Sequence, residues 1–248
     1  MKTKQFQLVI IAILAAYALG FNHANAATLK NEGEDAEIGI TNNYLHIEFD
    51  SENGGLLEMT DVKSGKNFVN KHGAQQSLWR LETERGQWIE LSDAKSFSYI
   101  HKNDLSLELV WTDFRNFSHE LTIIVTVQLL ENEPMSEWHI KLDKMSQVSI
   151  EAIHFPHIPD ISKLGNNERL AVPRLMGELA ENPRELFSPA GRTQRAFEYP
   201  GFLGFQCIAL YEQDGLGFYA AADDTASYRK DFIVHGDNKD DLGYTLVH

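Results

Sequence analysis

The residue types in this chain that could do chemistry are few and scattered. His154-Phe-Pro-His157 is the one close pair of imidazoles. Two histidines three apart contribute to a metal site only when their side chains converge, and Pro156 favours extended backbone, in which residues three apart face opposite sides. No third ligand stands at a recognisable spacing. The sequence therefore predicts no metal site, with one imidazole packed at a strand end and the other in solvent. Asp223-Asp224 follows the apolar stretch Phe218–Ala222. Carboxylates at a strand end bind sugar hydroxyls or calcium, or serve as acid and base, which makes Asp223 and Asp224 candidate ligand-binding residues, although neighbours in sequence diverge in a strand. Asp240-Asp241 reads as a solvated turn.

Trp79, Trp111 and Trp138 sit among alternating strand residues and read as core, whereas Trp88, beside Gly86 and Gln87 in a hairpin, is the candidate for exposure and for stacking on a sugar ring. Segment 161–200 carries five arginines, and its six basic residues outnumber five acidic ones in a chain whose net charge is −14. Arg174, Arg192 and Arg195 are the candidate ligand contacts of this electropositive island. The chain has no Gly-x-Ser-x-Gly, no Walker loop and no Gly-x-Gly-x-x-Gly after a strand, so no catalytic residue and no cofactor is assigned. Cys207 is single and lies in an apolar strand, the setting of a buried inert thiol rather than a nucleophile. An acidic surface repels a phosphate backbone, which excludes nucleic acid as a partner.

The elements that must hold these residues are strands. Leu105, Leu107, Leu109 and Trp111 recur at every second position, as do Leu121, Ile123, Val125, Val127 and Leu129. A strand gathers each set on one face, and a helix would scatter it. Comparable runs separated by Asn, Gly, Asp and Ser turns extend from Glu37 onward, predicting about a dozen antiparallel strands, too many for one open sheet. The expected architecture is all-β, a large antiparallel two-sheet sandwich. Segment 161–200, interrupted by Pro173, Pro183, Pro189 and Pro200, reads as a long loop with a helical turn near Pro183–Phe187.

Residues 1–26 have the build of an export signal: Lys2 and Lys4, an apolar run from Leu8 to Leu19, then Ala24-Asn25-Ala26. The run is shorter than the roughly 20 residues needed to span a bilayer, so cleavage after Ala26 and a soluble exported product, periplasmic or extracellular, are expected. Residues 27–248 form the remaining domain. It stops within an apparent strand, Gly243-Tyr-Thr-Leu-Val-His248, as expected of a piece of a longer protein.

Tyr44-Leu-His-Ile-Glu-Phe-Asp-Ser-Glu-Asn-Gly-Gly-Leu-Leu-Glu-Met-Thr-Asp61, followed by Ser64-Gly-Lys66, resembles the opening of a galactose-mutarotase-like β-supersandwich. Tyr199-Pro-Gly201 and the run from Ile208 to Asp223 are similar to its later strands. The resemblance implies a domain that stands before a catalytic (β/α)8 barrel in glycoside hydrolase-like proteins, contacting that barrel and carbohydrate, with the reacting carboxylates supplied by the barrel. It carries no catalytic residue onto this chain. Stand-alone aldose epimerases share the fold and use His with Glu or Asp, but their His-containing motifs find no match at His154 or His157. A non-catalytic sandwich module of an exported carbohydrate-active protein leads, with a stand-alone epimerase or mutarotase and a periplasmic carbohydrate-binding or structural protein as alternatives.

Overall fold

The computed structural model describes residues 4–5, 9–15, 38–70, 77–115, 121–144, 149–187, 193–236 and 242–248, the first two stretches in backbone only. Its strands are β1 (Lys4–Gln5), β2 (Val9–Ala15), β3 (Ile38–Thr41), β4 (Leu45–Phe49), β5 (Leu56–Asp61), β6 (Lys66–Asn67), β7 (Arg80–Thr83), β8 (Trp88–Glu90), β9 (Ala94–Asn103) and β10 (Ser106–Phe114). They continue with β11 (Thr122–Leu129), β12 (Met135–Asp143), β13 (Ile150–Ile158), β14 (Glu168–Val172), β15 (Glu178–Glu181), β16 (Gln194–Tyr199), β17 (Cys207–Glu212), β18 (Leu216–Ala222), β19 (Lys230–His235) and β20 (Gly243–Val247). A short helix, α1 (Pro183–Leu186), interrupts them.

The alternation read in the sequence becomes register. Leu107 lies opposite Val127, Leu109 opposite Val125 and Trp111 opposite Ile123, and all six are buried. Each such side chain contributes about 1.5–3 kcal/mol by leaving water, so a one-residue slip of either strand would turn the whole set to solvent.

A ten-stranded sheet forms one layer, in the order β15-β14-β17-β18-β2-β12-β11-β10-β9 with β1 on β12. The opposing layer is split in two, a six-stranded sheet β16-β19-β20-β13-β7-β8 and a four-stranded sheet β3-β4-β5-β6. Aromatic contacts tie the layers: Trp138 meets Phe155 of the six-stranded sheet and Phe49 of the four-stranded one, and Phe218 meets Tyr244. The all-β sandwich is as expected, with the second layer built from two sheets rather than one. A Val69 to Ile161 bridge and the Ser162 to Phe68 backbone bond join those two pieces.

Segment 161–200 departs from the loop reading. It contains β14, β15, α1 and β16, with β14 paired to both β15 and β17. Leu170 and Val172 alternate inward, a two-residue signal too short to stand out between prolines. Those prolines bound the elements: Pro173 follows β14, Pro183 opens α1 and Pro200 follows β16. Proline belongs at such positions because it has no N–H to give a ladder or a helix interior.

The export-signal reading falls largely outside the described residues. Its described parts, β1 and β2, are strands, and β2 pairs with β12 on one side and β18 on the other. Processing after Ala26 would leave the facing edges of those two strands unpaired.

Candidate functional site

One face of the six-stranded sheet carries a cluster of polar side chains. In antiparallel pairs, directly opposed residues project to the same side. Arg80 opposes Glu90 on β8 and His154 on β13, His157 opposes Thr245 on β20, and His235 on β19 opposes Gly243. The other face, with Leu81, Ile153, Tyr244, Leu246, Phe232 and Val234, lies in the core.

The two histidines of His154-Phe-Pro-His157 were expected on opposite sides. A register shift between them breaks the period of two, and both end on the polar face. Pro156 sits within the irregularity, where a residue without an N–H is tolerated. Both are buried, and neither lies in solvent. His154 packs edge-on to Trp88 at 4.9 Å, and the Arg80 guanidinium stacks on the same indole at 4.4 Å. His157 shares a hydrogen bond with the Thr245 hydroxyl through Nδ1 and lies 5.8 Å from the His235 ring. The His235 ring occupies space that only a glycine leaves free, since a Cβ on Gly243 would come within 2.1 Å of it and within 2.4 Å of the Pro159 carbonyl oxygen.

Burial, and after it the charge of Arg80, lowers His154 from 6.5 to about 4. The same two causes, with His235 and His154 adding, lower His157 from 6.5 to about 3. Both rings are neutral at pH 7. In the unfolded chain they titrate near 6.5, so the unfolded state takes up protons first as pH falls. Their effect on stability is absent above about pH 6.5, grows as pH falls to about 4 for His154, and continues to about 3 for His157. Urea midpoints should fall across that window, and less steeply in His157→Gln; equal slopes for the two proteins would refute the burial of a neutral His157.

Of the candidates read from sequence, Trp88 belongs to this cluster and is 41% exposed, while Trp79, Trp111 and Trp138 are fully buried. The others lie elsewhere. Arg195 binds Glu178 through both terminal nitrogens and covers the Phe197 ring at 4.6 Å. Arg174 lies 3.7 Å from the same carboxylate and 5.1 Å from the Phe202 ring. The electropositive island is thus neutralised from within, with Arg184 buried against Glu168 and Arg169 facing Glu181. Arg192 and Asp240-Asp241 lie outside the described residues. Asp223 is exposed, whereas Asp224 is buried against Lys230 at 2.7 Å. Cys207 is half-buried beside Tyr219, and burial raises its thiol, the setting of an unreactive side chain.

Arg80, His235 and Thr245 were not singled out by sequence reasoning. They come from three separate strands, and only the pairing of β7, β13, β20 and β19 assembles them. Among the described residues no three His, Cys, Asp or Glu side chains are grouped to hold a metal ion. A second surface feature is an apolar depression of about 450 Å³ on the ten-stranded sheet, lined in part by Ala171, Leu179, Cys207 and Tyr219, beside the fully exposed Met176. Leu175, Phe202 and Phe205 extend the exposed apolar surface nearby.

No family profile and no curated protein sequence matches this chain. Solved structures do. An alpha-N-acetylgalactosaminidase from Bifidobacterium bifidum superposes with a TM-score of 0.62 at 10% identity, over 85% of this chain and 33% of that one. A galactose mutarotase-like protein from Lactobacillus casei superposes with a TM-score of 0.53 at 11% identity, over 85% of this chain and 87% of that one. This chain therefore spans about a third of the glycosidase's length, and its fold is galactose-mutarotase-like.

Proposed function

We propose that this chain is a non-catalytic β-sandwich module of an exported carbohydrate-active protein, holding saccharide on the polar face of its six-stranded sheet. The observation that carries this reading is the superposition on one third of a glycosidase, with 85% of the present chain included. The rest of the parent protein, on this reading, contains the reacting carboxylates and packs against the apolar surface around Leu175, Met176, Phe202 and Phe205. Apolar patches of that kind mark contact surfaces.

Trp88 supplies the test, because it is the exposed one of four tryptophans. Adding a saccharide that binds should shift or quench its emission, and Trp88→Phe should abolish the change. Unaltered emission across neutral and acidic saccharides would remove the reading.

A second reading, a stand-alone aldose epimerase, draws support from the His154, His157 and His235 cluster. It predicts that the purified chain accelerates the mutarotation of α-D-galactose in a polarimeter. The lowered His154 and His157, with no carboxylate among the causes of either shift, favour the module.

A further inference from the structure

On the polar face, Arg80 and His154 carry polar atoms that its carboxylates do not engage. Among the described residues the Nε of Arg80 and the Nδ1 of His154 are buried with no hydrogen-bond partner, and His154 is only 8% exposed. A buried polar atom left unpaired costs about 1–3 kcal/mol, and such groups are rare in native proteins unless something else engages them. The carboxylates that share the face do not serve. Glu90 stands opposite Arg80, yet its side chain accepts from the Asp93 backbone N–H at the start of the helical turn Leu91–Asp93. Asp231, further along β19, meets Arg229 at 3.6 Å. Glu82, two residues from Arg80, forms no ion pair among the described residues, and neither does Arg80. Glu198, opposite Asp231 on β16, meets Arg229 at 3.0 Å, and the other neighbours, Thr245, Val247, Ile233 and Gly243, carry no charge.

An arginine fork with no ion pair among the described residues, set beside the His154 and His157 imidazoles, has the chemistry of an oxyanion receptor. Building on the saccharide reading above, we propose that the Arg80, His154, His157 and His235 cluster binds an oxyanion, and that the ligand is an acidic saccharide bearing a carboxylate or a sulfate ester. Arg80 supplies the permanent charge. His154 and His157 add N–H donors and take up a proton as the anion enters, because a neighbouring negative charge opposes the burial and the Arg80 charge that now keep them neutral. Trp88 borders the cluster and offers its exposed surface to the C–H face of the ring.

The test is calorimetry on the full chain with four probes: a galacturonate disaccharide, galactose 6-sulfate, the neutral galactose disaccharide and inorganic sulfate. At least one acidic saccharide should bind about ten- to a hundred-fold more tightly than the neutral sugar, the scale of a charge-assisted hydrogen bond. Affinity should rise as pH falls from 7 toward 5, with proton uptake. Arg80→Gln and, independently, His154→Gln should narrow the acidic-to-neutral ratio, each checked for native circular dichroism. The carboxylate and sulfate arms identify the oxyanion.

Equal affinity for neutral and acidic sugars overturns the inference and leaves the saccharide module standing. A preference for acid that survives both substitutions also overturns it, by placing the anion elsewhere. Sulfate binding as tightly as either acidic sugar reduces the cluster to a site for an adventitious ion only. Failure of every saccharide to bind folded protein overturns this inference and the module reading together.

Discussion

Replacing Asp224 by alanine should destabilise the domain by about 3–5 kcal/mol, the scale expected when one member of a buried ion pair is removed and the other stays charged. Lys230 and Asp224 are both fully buried at the side chain, with Nζ 2.7 Å from the carboxylate. The ammonium has two further acceptors, Gln206 Oε1 at 2.8 Å and the Tyr228 carbonyl at 2.7 Å, but neither carries charge. The carboxylate in turn accepts the backbone N–H groups of Ala226 and Tyr228, closing the turn between β18 and β19. Asp224→Ala therefore strips the turn of its acceptors as well as Lys230 of its counter-charge. Lys230→Met with Asp224→Ala should recover part of the loss, because no buried charge then remains. His248 senses the same pair: burial first, and then Lys230, lowers it to about 4. Denaturant melts decide the matter. A single Asp224→Ala within about 1 kcal/mol of the parent, set against the 3–5 expected, would mean that the pair is solvated.

The same pair shows what could be read from sequence. Divergence of neighbouring residues was legible, since Asp223 is exposed and Asp224 is not. The partner was not legible, because Lys230 reaches Asp224 only after the intervening turn folds back. The strands with long alternation, β10 and β11, were plain for a physical reason: each buries one uninterrupted face in the core. The two-layer arrangement followed from strand number. The division of the second layer did not, as it depends on how the backbone near Phe68 and Ser162 joins β6 to β13, a contact across many intervening residues.

The candidate site was the least legible part. Period-two reasoning fails wherever a strand carries an irregularity, and His154 and His157 stand on either side of one. Arg80 and His235 gave no local signal at all. By contrast, the arginines of segment 161–200 gave a strong local signal with a structural outcome, since Glu178 and Glu168 from the same segment neutralise them. Charge composition counts residues and cannot say which are paired.

Trp111→Ala should cost about 3–5 kcal/mol, the range for deleting a buried aromatic side chain, and should loosen all three sheets together. Trp111 lies on β10 of the ten-stranded sheet and is fully buried. Its ring meets Trp79 edge-on at 5.5 Å, one residue before β7 of the six-stranded sheet, and Phe97 on β9 at 5.4 Å. Its indole N–H donates to the Asn53 carbonyl at 2.7 Å, in the turn between β4 and β5 of the four-stranded sheet. That turn closes on it so tightly that a Cβ on Gly54, whose φ is +75°, would lie 2.6 Å from the indole and 2.4 Å from Phe97. Positive φ and lack of space both demand glycine there. Trp111→Phe keeps most of the ring but leaves the Asn53 carbonyl without its donor, so it should lose less, with a hydrogen-bond share of about 1 kcal/mol. Because Trp79 adjoins Arg80, the cavity left by alanine should also disturb the cluster above it. Trp88→Ala offers the contrast: at 41% exposure it should cost far less, about 1 kcal/mol, the scale of its stacking with Arg80. If Trp111→Ala and Trp88→Ala melt alike, Trp111 does not join the sheets, and the position of Arg80 needs another support.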